Sequence, residues 1–269
     1  INEYFSSGTT QKIKDKFGHA SVVTASYVYA NIDNLANFTK NVNNLLSDDG
    51  LFVVQTGYHP AQIDILNFDY IYHEHFSYFS VSVLKRLMET AGLELIDARS
   101  NPLKGGSVTI FAQKSGGARS ISENVNQFRS YEQNRKIHKP EIYFDFAKTI
   151  QSKKENTLHI LTDAVAKGAS IVGYGASHST TTLLHHFEIG HLFDYLVDDN
   201  RRKLGLYSPG YGLEVRPSET LFDEKPDYVV ILAWQHTESI IQRNRSLLDQ
   251  GIQFIVPLPD FRILRAQDH

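Results

Sequence analysis

With 269 residues, 41% of them hydrophobic and 21% charged, the chain is long enough for two domains that each bury a core. A net charge of -3 leaves no basic footprint for nucleic acid and no polybasic membrane patch, and the absence of cysteine excludes disulfides and thiolate zinc sites within this chain. No apolar run approaches the roughly 20 residues that a membrane helix needs, and the N-terminus lacks a basic region followed by an apolar core, so the expectation is a cytoplasmic protein with no nucleic-acid or membrane partner. The chain opens on Ile1, in what reads as the middle of an α/β unit, as a fragment, a processed chain or the ordered part of something longer would.

Residues 2–16 are polar and helix-compatible, and the β-branched, largely apolar stretch from Ala20 to Val28 predicts a buried strand. Asp33 predicts the N-cap of a helix whose apolar positions, Leu35, Phe38, Val42, Leu45 and Leu46, recur at helical spacing. Asp48, Asp49 and Gly50 then read as its stop and Leu51 to Gln55 as the next strand, a strand, helix, turn, strand unit of the kind that builds parallel sheets.

Next comes an aromatic run, Asn67 to Ser80, holding Tyr72, His73, Glu74 and His75 in succession. Two imidazoles able to act as bases near neutral pH, a carboxylate to fix a tautomer and a phenol to hold an oxyanion are the parts of a proton-transfer site. A buried aromatic loop with satisfied histidines has the same composition, and spacing alone does not separate the two.

Val81 to Ala91 predicts an amphipathic helix ended by Gly92, followed by strands over Leu93–Asp97 and Ser107–Ala112 around the turn at Gly105 and Gly106. From Ser115 to Gly168 the chain is polar and helix-prone, with Pro140 marking a boundary before a longer helix over residues 143–167. A second α/β pattern follows, with strands over Ala169–Gly173, Phe193–Val197, Tyr228–Leu232 and Phe254–Val256 and a helix over Thr237–Asp249 capped by Gly251. The fold class is α/β, divided as 1–115, a helical connection over 116–168, and 169–269.

Gly173 and Gly175 at a strand end permit a tight turn, and Ser177, Ser179 and Thr180 there cap a helix whose free amides suit a phosphate. The third glycine of a dinucleotide fingerprint is missing, and close strand-to-helix packing explains the two glycines equally well. Trp234, the only tryptophan, reads as core or interdomain packing. His185, His186 and His191 read as a surface cluster, because adjacent helical histidines point in different directions and no carboxylate completes a metal set.

Several of these stretches together resemble one family, the S-adenosylmethionine-dependent sugar C-methyltransferases. They are Phe68 to Ser80 around Tyr72, Glu74 and His75; Lys104 to Ser107; Gly173 to Ala176; Val197 to Asn200; Pro226 to Tyr228; Leu232 to Trp234; and Pro257 to Pro259, in order along nearly the whole chain. The resemblance implies an N-terminal zinc module, a central methyltransferase domain and a C-terminal Rossmann-like domain. This chain would then carry a partial Rossmann-type methyltransferase domain followed by a second Rossmann-like α/β domain. The loop that holds S-adenosylmethionine, like any zinc, would precede Ile1, so no cofactor-binding or metal-binding residue is assigned within the chain.

The acceptor implied is a nucleotide-linked 4-keto-6-deoxy sugar methylated at C3 during deoxysugar biosynthesis. By similarity His75 is the base, Tyr72 hydrogen-bonds the sugar near its keto oxygen, and Glu74 orients the base or binds a hydroxyl. The substrate contacts implied are Asn31, Lys104, Gly105, Gly106, Tyr174, Gly175, Ala176, Ser179 and Asp198. Four positions depart from the pattern: Asn31 and Lys104 stand where relatives carry histidine, Thr109 where arginine is frequent, and Ser179 where lysine is usual. They suggest an altered sugar or nucleotide, or weakened catalysis. The alternatives are a nucleotide-sugar binding module without methyl transfer, and a subunit whose donor site is completed by a partner chain.

Overall fold

The computed structural model describes residues 1–266. The chain forms two compact units: residues 1–64 with 73–143, and residues 65–72 with 144–266. Where the sequence reading sets off 116–168 as a connection, one of its helices lies in the first unit and most of the other in the second.

The first unit runs α1 (Ser7–Phe17), β1 (Ala20–Ser26), α2 (Leu35–Leu45), β2 (Leu46–Gly57), α3 (His59–Asp64), α4 (Val81–Thr90), β3 (Leu93–Asn101), β4 (Ser107–Lys114) and α5 (Glu123–Asn134). Its sheet has the order β1-β2-β4-β3, with β1 and β2 parallel and β4 antiparallel to both its neighbours. From Phe52 to Tyr58, just past the end of β2, every second side chain (Phe52, Val54, Thr56 and Tyr58) is buried, the alternation of a sheet with one covered face. That face joins Val42 of α2, Leu84 and Met88 of α4 and Val125 of α5 in one apolar cluster.

Three local expectations fail here. β1, read as a buried strand, buries Ala25 alone of its seven residues. Asn34, not Asp33, caps α2, its side chain accepting from the Asn37 amide at 3.0 Å. The run Asp48, Asp49, Gly50 is not a stop ahead of β2 but part of it: pairing jumps from Ala20–Leu46 to Val22–Leu51, so residues 47–50 form a bulge.

The second unit begins with residues 65–72 and resumes within α6 (Pro140–Ala166), whose first turn belongs to the first unit. It continues with β5 (Ile171–Tyr174), α7 (His178–Phe187), β6 (Tyr195–Val197), β7 (Val215–Arg216), α8 (Thr220–Glu224), β8 (Tyr228–Ile231), α9 (Thr237–Arg243), α10 (Arg245–Asp249), β9 (Gln253–Val256) and β10 (Arg262–Leu264). The sheet order is β10-β9-β8-β5-β6-β7, parallel except for β10. β5 and β6 are buried along their whole length, as continuous apolar runs in a sheet covered on both faces should be. The helix expected over 237–249 is two helices. The buried Asn244 ends the first by donating its side-chain amide back to the Ile240 carbonyl at 2.8 Å. Among the described residues no helix is long and apolar enough to cross a membrane.

Candidate active site

In the first unit the candidate residues collect at the carboxyl ends of β1 and β2. Beyond Ser26 the chain turns sharply at Tyr27, which takes a left-handed φ of 51° while its amide donates to the Gln55 carbonyl at 2.8 Å. A short 3-10 turn over Tyr29–Asn31 follows, anchored by fully buried Tyr29, whose hydroxyl meets Thr39 at 2.5 Å. Burial pushes the Tyr29 phenol up to about 12, with the Thr39 bond acting the other way.

The Ala30 carbonyl in that turn accepts from the amides of both Phe76 (2.9 Å) and Ser77 (3.2 Å). Phe79 bridges to Tyr58 at the end of β2, and its carbonyl accepts from the His59 amide at 2.9 Å. Residues 75–79 are thus pinned across the ends of two parallel strands, the edge of an α/β sheet where ligands bind. His75 is half-buried there, its ring edge-on to Tyr78 with centroids 5.8 Å apart. His73 and Glu74 are exposed, and Glu74 makes no hydrogen bond or ion pair to a described residue.

The β3–β4 hairpin brings Lys104, Gly105 and Gly106 to the same edge. The Gly106 carbonyl accepts from the Tyr58 amide at 3.0 Å, and a Cβ at Gly106, with φ 106°, would lie 2.7 Å from that of Ala61. Only glycine fits that approach. Lys104 Nζ sits 4.0 Å from the centre of the Tyr27 ring, whose hydroxyl donates to Ser107 at 3.1 Å. Asn31 is at the same edge, and its side-chain oxygen is buried without a hydrogen-bond partner.

The second unit holds the remaining candidates. Gly175, with φ 110°, passes so near Ala233 that an added Cβ would lie 2.6 Å from its Cβ, so close packing is reason enough for this glycine. Ser177 caps α7 in a reciprocal pair with Thr180, and the Ser179 hydroxyl, buried, meets that of Ser177 at 2.7 Å. Asp198 accepts from the Ala176 amide (2.8 Å) and from Lys203 (2.9 Å), and Tyr174 donates to Asp199 at 2.9 Å. Asp198 therefore occupies one amide of the turn, and the first-turn amides of His178 and Ser179 are the donors left for an anion. Tyr72 stacks on His178 with centroids 5.8 Å apart.

Three residues outside the sequence-based set shape these edges. Trp234, in the core of the second unit, donates to Asp69 at 3.0 Å, while the other Asp69 oxygen is buried without a partner. Burial pushes the Asp69 carboxyl up to about 7, the Trp234 bond opposing. Glu132, buried, accepts from the amides of Val81 (2.6 Å) and Ser82 (2.9 Å) and from the Tyr58 hydroxyl (3.1 Å), so α5 anchors the start of α4. The third, His59, begins α3 and lines a cleft of about 720 Å³ with Tyr78, Glu132, Arg129, His138 and Tyr143. No local pattern marks Asp69 or Glu132, whereas a histidine directly after a strand end is a signal visible in sequence. His185 and His186 diverge as expected, one ring against Tyr211 and the other against Phe68. Among the described residues no group of three or more His, Asp or Glu side chains is placed to hold a metal.

Comparison with known proteins shows which family the chain is similar to. A family model described as the C-methyltransferase C-terminal domain matches residues 102–259, and one described as a methyltransferase domain matches residues 4–98. The C-methyltransferase NovU of Streptomyces niveus is 30% identical over 264 residues, 98% of this chain, which spans 63% of the length of that protein. An O-methyltransferase from neocarzinostatin biosynthesis, NcsB1, solved with S-adenosylmethionine and 2-hydroxy-5-methyl naphthoic acid, is similar over 40% of this chain and 38% of its own at 15% identity and a TM-score of 0.29. With one family model covering more than half of it and another most of the remainder, the chain belongs to the C-methyltransferase family.

Proposed function

We propose that the protein containing this chain transfers a methyl group from S-adenosylmethionine to C3 of a nucleotide-linked 4-keto-6-deoxy sugar. The observation that carries the reading is the double hydrogen bond from Phe76 and Ser77 to Ala30, which holds the half-buried His75 at the carboxyl end of a parallel strand. In this reading the C4 ketone acidifies the C3 proton, His75 removes it, and the enolate is the nucleophile. The donor supplies an already activated methyl group. Tyr72 and Glu74 are assigned to the sugar, Lys104, Gly105 and Gly106 to the acceptor edge of the first unit, Tyr174 to Ser179 to the diphosphate, and Asp198 to the nucleotide sugar.

The test is methyl transfer by the complete gene product, read by mass spectrometry as the gain of one methylene by the nucleotide sugar. His75→Gln is expected to lower the rate by about a hundredfold or more, the range of a lost general base, with folding unchanged. Undiminished transfer by that variant would sink the assignment. Asn31, where relatives carry histidine, favours a second reading, a nucleotide-sugar binding module without methyl transfer. Calorimetric binding of thymidine diphosphate together with no methyl transfer would select it.

A further inference from the structure

Six non-glycine residues among those described take a positive φ. Lys136, Glu188 and Lys225 do so just beyond the C-terminal ends of α5, α7 and α8, where a left-handed residue is routine. Tyr27 and Lys104 have no such reason. Tyr27, with φ 51°, directly follows the end of β1, and Lys104, with φ 53°, lies in the 3-10 turn Leu103–Gly105 of the β3–β4 hairpin. Such a backbone is unfavourable for a side chain with a Cβ, persists only where the surroundings enforce it, and gathers at active sites and ligand clamps. These two residues meet, Lys104 Nζ lying 4.0 Å from the centre of the Tyr27 ring.

The surroundings do enforce both. The Tyr27 hydroxyl donates to Ser107 at 3.1 Å and accepts from the Gln55 side-chain amide at 3.4 Å, so the ring is held from β2 and from the hairpin. Ser107 donates to the Leu103 carbonyl at 2.7 Å, and the Asn101 side chain accepts from the Leu103 amide at 3.1 Å, which fixes the turn that carries Lys104. The turn joins the segment that holds His75 through Tyr58, whose amide donates to Gly106 and which bridges to Phe79. A cation is attracted to the face of a tyrosine ring, so the pair holds a positive charge on the acceptor edge. Asn31, at the same edge, is an amide and brings no charge.

We propose that Lys104 is a catalytic residue whose ammonium stabilises the oxyanion formed at C4 of the sugar, an inference that rests on the reading of His75 as the base. As the C3–H bond breaks, the proton goes to His75 and its electron pair forms the C3–C4 double bond, leaving the carbonyl electrons on the C4 oxygen. When C3 takes the methyl group, those electrons re-form the ketone and the donor sulfur leaves as a neutral thioether. Lys104 exchanges no proton and acts by charge alone. The C4 oxygen carries its full charge only between the two ketones, so the ammonium acts on rate more than on binding. Tyr27 is the positioning residue beneath it.

The experiment measures single-turnover methyl transfer to thymidine diphosphate-linked 4-keto-6-deoxyglucose by the complete gene product, with the half-saturating sugar concentration and the melting temperature. Lys104→Met keeps the stem and removes the charge. It is expected to lower the rate about tenfold or more, less than the hundredfold or more of a buried oxyanion donor because Lys104 is exposed. Half-saturation should stay within about twofold, as for an interaction made only in the transition state. Lys104→Arg should retain most of the rate. Lys104→Asn, whose side chain tolerates a left-handed φ, should melt at or above wild type and yet be as slow as Lys104→Met, which separates the charge from the fold. Wild-type rates in Lys104→Met and Lys104→Asn, or a raised half-saturation at an unchanged rate, would overturn the assignment of Lys104 alone. No transfer by wild type, or undiminished transfer by His75→Gln, would remove the base assignment and this one with it.

Discussion

Trp234 shows how one side chain settles a buried charge. Its indole N–H is the hydrogen bond that Asp69, fully buried, receives from another side chain, at 3.0 Å. Trp234→Phe keeps the aromatic bulk and removes that donor, so stability should fall by about 1–3 kcal/mol, the range for leaving a buried polar group unpaired. The loss should be larger at pH 8 than at pH 5, because below about 7 the carboxyl is protonated and easier to leave unpaired. Urea unfolding at the two pH values measures the difference, and equal losses would contradict this account. At the same scale, Asn31 places an orphaned amide oxygen at the strand edge, and Glu74 leaves its carboxylate in solvent.

Single residues also fix whole elements. Glu132 supplies acceptors to two first-turn amides of α4 and to Tyr58, binding α5, α4 and the end of β2 at one point. Charge-assisted hydrogen bonds are worth roughly 1.5–3 kcal/mol each, so Glu132→Ala should destabilise the first unit by about 3 kcal/mol or more, and Glu132→Gln by less. Hydrogen exchange at Val81 and Ser82 is the direct readout, and unchanged protection there would refute the anchor. In the β3–β4 hairpin, Gly106→Ala forces a side chain onto Ala61 at a positive φ and should lower the melting temperature by several degrees, about 1–3 kcal/mol for such strain. A variant melting like wild type would show that the hairpin yields.

Over the whole molecule the clearest pH signature comes from Asp69. Its folded carboxyl titrates at about 7, above the ordinary value of 3.8. Below the ordinary value both folded and unfolded chains carry the proton and nothing is lost. As pH rises towards 7 the unfolded state alone releases it, and stability falls, levelling off above 7. Asp97 and Asp199 act oppositely. Despite burial their hydrogen bonds and neighbouring arginines hold them below the ordinary range, so their contribution is lost as pH falls through it. Asp69→Asn should therefore flatten the decline between about pH 4 and 7, on the order of a few kcal/mol at 1.36 kcal/mol per pKa unit. Chemical denaturation across that range tests it, and an unchanged slope in the variant would assign the decline elsewhere.

Much of this molecule was readable from its residues alone. Apolar, β-branched runs placed β1, β2 and the strands of the second α/β pattern, and 3.6-residue spacing placed α2 and α4, because both signals are local; that β1 is largely exposed was not readable. The succession Tyr72 to His75 marked the run whose end, from His75 on, lies at the sheet edge of the first unit, because so many titratable groups among aromatics need a structural or chemical reason. The short β7 and β10 were not readable, since two or three residues carry no period. Nor was the assignment of residues 65–72 to the second unit, which rests on Asp69 meeting Trp234, Asn67 meeting Gln235 and Phe68 stacking on Phe187. The sequence by itself determined the α/β class and the family and singled out the candidate segment, because these follow from local patterns and motif order. Only the tertiary structure decided which oxygen of Asp69 is left alone, that Glu132 holds α4, and that Lys104 sits over the Tyr27 ring. Such contacts join residues far apart in the chain, and burial, which no local pattern reports, gives them their energy.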